Sequence, residues 1–295
     1  MDSRVFRHPT VCFVYFASVI CFSMIFMNPV CLAISLISSV LTVIIISKSK
    51  AFGFMLPIFV FSVLISAAVN VVFNHRGATI LSYFPDGNPL TLESLLYGAA
   101  ASIMLVSVIC WFHCLNLRFT GDKIMYVFGS VFPSLSLVFS AALGFVPKLK
   151  YSFYKTAQAQ QTIGKGLGEK NLFKKLKNAL HILAAVVSAS LENAVGISES
   201  MKSRGYGLKK RTFYGNYIMT KSDWFVLLFF CAADIYIAAG RLSGAVDFSY
   251  FPALKSKNCG IYAFSVFAVY SLLFFAPVIS EIAEAVKWKR LKSEI

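Results

Sequence analysis

Apolar residues come along this chain in long uncharged runs, at 11–27, 30–47, 52–73, 95–112, 224–240 and 260–280. None alternates strictly between apolar and polar positions, so the runs read as helices and not as half-buried strands. Each is close to the ~20 residues that a helix needs to cross the hydrocarbon of a bilayer, where a helix satisfies its own backbone hydrogen bonds. Short polar breaks separate them. Asn28 and Pro29 make a tight turn between the first two, and the second closes at Lys48 and Lys50. The run 52–73 contains Pro57. A turn-rich loop follows from Asn74, His75, Arg76 and Gly77 to Asp86, Gly87, Asn88 and Pro89, and Thr91 is placed to cap the helix that begins beyond it. The first run lacks a small-residue cleavage site and a second run follows at once, so it reads as a span and not as a signal peptide.

Between the fourth and fifth runs the pattern changes. Residues 124–146 are apolar but interrupted by Gly129, Pro133 and Gly144. Residues 148–212 then form the one long polar stretch, with 13 of the 28 Lys/Arg and 3 of the 13 Asp/Glu. Cytoplasmic loops collect Lys and Arg, which puts this stretch inside the cell, along with Arg4, Arg7, Lys48, Lys50 and the basic end at Lys287, Lys289, Arg290 and Lys292. Lys255 and Lys257, in an outer loop, run against that assignment. Four spans bring the chain back inside at Arg118. A full crossing by 124–146 would put the most basic stretch outside, so that segment is expected to be a bent helix that does not complete a crossing. The expected fold is therefore all-α and integral to the membrane, with about six spans, both termini cytoplasmic, and a cytoplasmic platform of long helices. It divides into an N-terminal membrane bundle (1–123), a bent linker helix with the platform (124–212), and the C-terminal spans with a basic tail (213–295).

Composition supports this class: 58% of residues are hydrophobic and 14% charged, against roughly 25% charged in soluble domains. The net charge of +15 would suggest a nucleic-acid partner in a soluble protein; here the inside bias of basic residues accounts for it, and no nucleic acid is expected. The seven cysteines are odd in number and sit mostly in apolar runs, where they behave as small buried hydrophobes without a disulfide framework. Cys110, His113 and Cys114 lack a second ligand cluster, so no metal is expected. The glycines at 164, 166 and 168 do not form a phosphate-binding loop with its lysine, and no nucleophile lies at a suggestive spacing from a base. Catalysis is not expected. Asp234, inside the fifth run, is a candidate intramembrane polar site.

In the polar stretch, residues 151–163 favour a helix, which the glycines end. Asn171 restarts one as its N-cap. Lys174, Lys175 and Lys177 crowd its first turns against the helix dipole, which favours contact with anionic lipid or an acidic partner. Leu176, Leu180, Leu183 and Val187 recur at helical spacing and make one apolar face, and Ser188, Ala189, Ser190 and Ala194 permit close helix crossing. The helix is expected to end at Arg204, with Gly205 as its left-handed cap. An exposed arginine there can form bidentate bonds in a partner's groove; it can also simply complement the helix dipole.

Glu199, Met201, Ser203, Arg204, Gly205 and Tyr206, followed by Arg211 and Thr212, resemble the signature of the transmembrane T component of energy-coupling-factor transporters, related to the cobalt-transport Q subunit. The loop from Asn74 to Ser94 is similar to that family's external loop, and Phe132, Pro133, Leu135 and Leu137 with Phe145, Val146 and Pro147 resemble its approach to the platform. The resemblance implies a scaffold. Two cytoplasmic ATP-binding cassette ATPases would hold the tips of two platform helices and use the ATP; this chain would bind no cofactor. A separate substrate-binding membrane subunit (the S component), specific for a vitamin or a transition metal, would dock on the platform from the bilayer of a prokaryotic cell membrane. The coupling residues carried over are Ser203, Arg204 and Gly205 at one tip and Thr162, Ile163 and Gly164 at the other. Ile163 departs from the family, which has an arginine there. That arm would pack against its ATPase, rely on Lys165, or couple weakly. The competing expectations are a secondary transporter with a path near Asp234 and Pro133, and a membrane enzyme or receptor holding a lipid or nucleotide.

Overall fold

A computed structural model describes residues 8–47, 50–74, 77–83, 89–131, 133–165, 168, 171–206, 217–252, 254–256 and 260–293. The landmarks Arg4, Arg7, Lys48, His75, Arg76, Asp86, Gly87, Asn88, Phe132, Gly166, Gly207, Arg211, Thr212, Lys257 and Cys259 lie outside them. In order, the elements are α1 (Pro9–Ile25), α2 (Pro29–Ser47), α3 (Lys50–Phe73), β1 (Ile80–Tyr83), β2 (Pro89–Thr91), α4 (Leu92–Arg118), α5 (Gly121–Val131), α6 (Pro133–Thr162), α7 (Leu172–Ser203), α8 (Lys221–Leu242), β3 (Phe248–Ser249), β4 (Lys255–Ser256) and α9 (Ile261–Ser293). The strands make two short antiparallel hairpins, β1–β2 and β3–β4. This is an all-α membrane protein in which helices carry nearly all the structure.

The chain divides into two compact units. The first is Met1–Thr120 with Tyr217–Ile295, the second Gly121–Asn216. In the first, α4 packs against α1, α2 and α3, and α9 packs against α2 and α8. Its core is aromatic. Trp111 of α4 is fully buried, with ring centroids 6.5 Å from Tyr15, 6.2 Å from Phe16 and 5.8 Å from Phe274. The edge-to-face geometry of these pairs is the arrangement that ring quadrupoles favour. The Tyr15 hydroxyl donates to the Leu273 carbonyl at 3.1 Å, which ties α1 to α9. Arg118, at the end of α4, forms an ion pair with Glu281 of α9, and both side chains are largely buried. At Gly240 of α8 an added Cβ would stand 2.7 Å from Cγ2 of Val266, so glycine permits the close approach of α8 to α9.

The loop at the head of α4 is held by one carboxylate. Glu93 accepts hydrogen bonds from the Thr79 amide at 3.2 Å and its hydroxyl at 2.7 Å. A Cβ on Gly77 would lie 2.5 Å from Oε2 of Glu93. Thr91 is the N-cap of α4, as its position suggests, and accepts from the Ser94 amide. This loop meets the one after α8 where the Ala78 amide donates to the Pro252 carbonyl at 3.1 Å, while Tyr250 donates to the Met27 carbonyl at 2.8 Å.

Residues 124–146 fall in α5 and in α6, which spans Pro133–Thr162 with Pro147 inside it. Pro147 lies in mid-helix and removes one backbone bond without ending α6. The apolar segment and the first platform arm are thus one 30-residue helix. α6 packs against α5 and α7.

The apolar helices fit the expected all-α membrane fold of about six spans. Among the described residues, five helices are long and apolar enough to cross a membrane: α2 (over Pro29–Ile46), α4, α7, α8 and α9 (over Ile261–Lys292). α1 and the Pro57–Asn70 part of α3 are shorter apolar helices. α7, expected to be cytoplasmic, qualifies because its apolar residues line one long face of a 32-residue helix while its lysines gather near the ends.

Candidate functional site

Two helices of the second unit end in the same way. At the end of α7, the Gly205 amide donates to the Lys202 carbonyl and the Tyr206 amide to the Met201 carbonyl, both at 3.0 Å. Gly205 has φ of 77°. At the end of α6, the Gly164 amide donates to the Gln161 carbonyl at 3.1 Å and the Lys165 amide to the Gln160 carbonyl at 3.0 Å. Gly164 also has φ of 77°. Both are paired-bond caps that turn the chain out of a helix through a left-handed residue, a conformation glycine adopts at little cost. One hydroxyl completes each turn. Ser203 donates to the Ser200 carbonyl at 2.9 Å, and Thr162 to the Ala159 carbonyl at 2.7 Å.

The residue between hydroxyl and glycine is Arg204 on α7 and Ile163 on α6. Both are exposed, Ile163 at 68% of its surface. The structure thus gathers Ser203, Arg204 and Gly205 into one tip and Thr162, Ile163 and Gly164 into a second tip of the same backbone form. Arg204 is presented at the negative end of the α7 dipole, where its guanidinium offers a rigid fork of donors.

A cavity of about 410 Å³ adjoins the α7 tip, lined by Phe145 of α6, by Ala194, Ile197, Ser198, Met201 and Lys202 of α7, and by Tyr206. The sequence reading missed it. The signal was present in the cap itself: the residues that bracket such a turn often touch, and here they are Met201 and Tyr206. At the α6 tip the corresponding residues are Gln160 and Lys165.

Upstream, Asn171 caps α7 by accepting from the Phe173 amide at 3.1 Å, as its position suggests. Two faces follow. Ile182 and Val186 are buried. A second stripe runs through Leu172, Leu176, Leu180, Leu183, Val187, Leu191 and Val195 and stays open. Leu172 is 82% exposed and the last of the series, Val195, 62%. The leucine face read from the sequence is therefore an uncovered surface, and the buried face is its neighbour. An apolar stripe of this length on a helix marks either lipid or a partner.

Asp234 sits apart from these tips, on α8 in the first unit. Its Oδ1 is buried without a hydrogen-bond partner among the described residues.

Sequence comparison adds the final observation. The family model described as CbiQ, cobalt transport protein, matches residues 2–214. An energy-coupling factor transporter transmembrane protein, EcfT, of Lactobacillus helveticus is 35% identical over 109 residues, 37% of this chain and 39% of that protein. The protein of the same name from Lactococcus lactis subsp. cremoris is 37% identical over 81 residues, 27% of this chain and 30% of its own length. That of Bacillus selenitireducens is 32% identical over 111 residues, 37% and 41% respectively. The chain thus matches well under half the length of these curated relatives.

Proposed function

The chain belongs to the cobalt transport protein family, CbiQ, and from that premise we propose that it is the non-catalytic transmembrane scaffold of an ATP-driven importer of the energy-coupling-factor type. The observation that carries this reading is the rigidly capped, exposed Arg204 at the end of a 32-residue helix. Its relatives are named as transmembrane proteins of energy-coupling factor transporters, and such a transporter needs a connection between ATP hydrolysis and the membrane. A helix is a stiff lever, and a cap that fixes the last turn lets force on the tip move the whole rod.

In this reading two cytoplasmic ATP-binding cassette ATPases hold the α6 and α7 tips, so that α6 and α7 are the coupling helices. ATP is bound and spent by those subunits. Arg204 makes charge-assisted bonds to carboxylate or carbonyl oxygens of its ATPase. The exposed stripe on α7 receives a separate, small membrane protein that binds the cargo, a vitamin or a transition-metal ion. Closure of the ATPase pair shifts the tips, the stripe moves with them, and the docked subunit reorients to release cargo inward. The residues following Asn171 (Lys174, Lys175 and Lys177) are exposed and suit anionic headgroups of the cytoplasmic leaflet. Both chain termini lie on the cytoplasmic side of a prokaryotic cell membrane.

The test is purification of the tagged full-length chain from its own host's membranes in mild detergent. An ATP-binding cassette ATPase and a second, small membrane protein are expected in the eluate in fixed proportion. A chain that elutes alone, folded and monodisperse, contradicts the scaffold.

A further inference from the structure

Helix α9 is longer than a span needs. Its 33 residues extend about 50 Å, against roughly 30 Å of hydrocarbon and about 40–45 Å with both headgroup layers. The bundle grips it down to Glu281. Pro277 lies inside α9 and has no amide to give the Leu273 carbonyl; the Tyr15 hydroxyl of α1 donates to that carbonyl instead, at 3.1 Å. One turn further on, Glu281 pairs with Arg118 at the end of α4. Beyond this pair α9 continues to Ser293, about 18 Å along its axis. Every residue from 285 to 292 is exposed. Eight consecutive residues make more than two turns, so no side of this segment is packed on protein. A helical end this short is marginal when water is its only surroundings.

The chemistry of the segment says what surrounds it. Lys287, Lys289, Arg290 and Lys292 fall within six residues, and Glu294 is the one acid after Glu284. Val286, Trp288 and Leu291 are exposed among them. Two residues apart on a helix is about 200° of rotation, so Val286 and Trp288 point to opposite sides. Apolar groups and cations thus alternate around the whole circumference. A protein groove takes a helix by one apolar face, which this segment lacks. A headgroup layer surrounds a helix on all sides. It accepts tryptophan at the boundary and lets long cationic side chains reach back to phosphates. The cations stand about 9–17 Å past Glu281 along the axis, close to the layer they would reach.

We propose that the end of α9, residues 285–293, is a binding site for anionic phospholipid headgroups of the leaflet from which it emerges. Lys287, Lys289, Arg290 and Lys292 hold the phosphates, and Trp288 sets the depth. The site anchors the bundle to the membrane surface whichever subunits the chain serves.

The experiment uses the full-length chain, with whatever subunits it retains, in vesicles of phosphatidylcholine alone or of phosphatidylcholine and phosphatidylglycerol in equal parts. Hydrogen exchange is followed by mass spectrometry. With phosphatidylglycerol, the amides of 285–292 are expected to exchange about tenfold or more slowly than in phosphatidylcholine, and ~1 M salt to reverse the protection. Changing all four cations to glutamine (Lys287→Gln, Lys289→Gln, Arg290→Gln, Lys292→Gln) is expected to remove it. Unchanged protection of the α9 span in that variant verifies the fold. Inorganic phosphate added to phosphatidylcholine vesicles is expected to protect nothing. Equal exchange in the two vesicle types overturns the proposal, as does protection that survives in the glutamine variant. Protection already complete in phosphatidylcholine shows a protein partner on the segment, and protection by inorganic phosphate shows a site for the free anion; either result overturns the lipid site.

Discussion

Gly205 is held at φ of 77°, and a side chain there costs roughly 1 kcal/mol of backbone strain. Gly205→Ala is therefore expected to loosen the last turn of α7 and speed hydrogen exchange at the Tyr206 amide, leaving the rest of the helix as protected as before. Protection unchanged at that amide would show that the cap does not fix the tip. Asp234→Asn addresses the other candidate residue. In a scaffold whose cargo is carried by another subunit, this isosteric change leaves uptake by the intact complex at the wild-type rate; abolished uptake would favour a substrate path through this chain. At this scale much was legible in the sequence. Asn171, Thr91 and Gly205 announce themselves because capping is local chemistry between a side chain and the next few amides. The matching of Thr162, Ile163 and Gly164 with Ser203, Arg204 and Gly205 was visible as a hydroxyl, one residue, then glycine. That both would adopt one turn needed coordinates.

Elements were harder to read where one residue type has two meanings. Proline begins helices as readily as it bends them, so spacing alone does not assign a role to Pro133, the first residue of α6, or to Pro147 inside it. Periodicity found the leucine stripe on α7 but could not tell a packed face from an open one, because both need the same spacing. The contact of α8 with α9 is similar: Gly240 looks like any glycine in a span until Val266 is seen against it. Gly240→Ala places a methyl 2.7 Å from Cγ2 of Val266, and overpacking of this kind costs about 1–3 kcal/mol. Thermal unfolding in detergent should show the loss, and Val266→Ala in the same chain should recover most of it. A Gly240→Ala protein as stable as wild type would mean that the two helices separate freely.

Across the whole molecule, long-range pairings lie beyond what spacing alone can reveal. Arg118 read as an inside-loop cation, yet it is buried against Glu281, 163 positions away. Removing one partner of such a buried pair leaves the other charge desolvated and costs about 3–5 kcal/mol. Arg118→Met is expected to destabilise the first unit accordingly in a detergent melt, and the double change Arg118→Met with Glu281→Leu to recover most of the loss. Equal stability of the single variant would show that the pair is solvent-relieved. The two compact units differ in what they carry: one is an aromatic-cored bundle, and the other holds both capped tips and the open stripe. The central claim is that the second unit transmits ATPase motion through Arg204. Its most direct measurement is the amount of ATP-binding cassette ATPase retained by Arg204→Ala relative to wild type, with equal membrane insertion of the two verified beforehand. Retention of the ATPase at that tip is expected to fall about tenfold or more; retention equal to wild type contradicts the account.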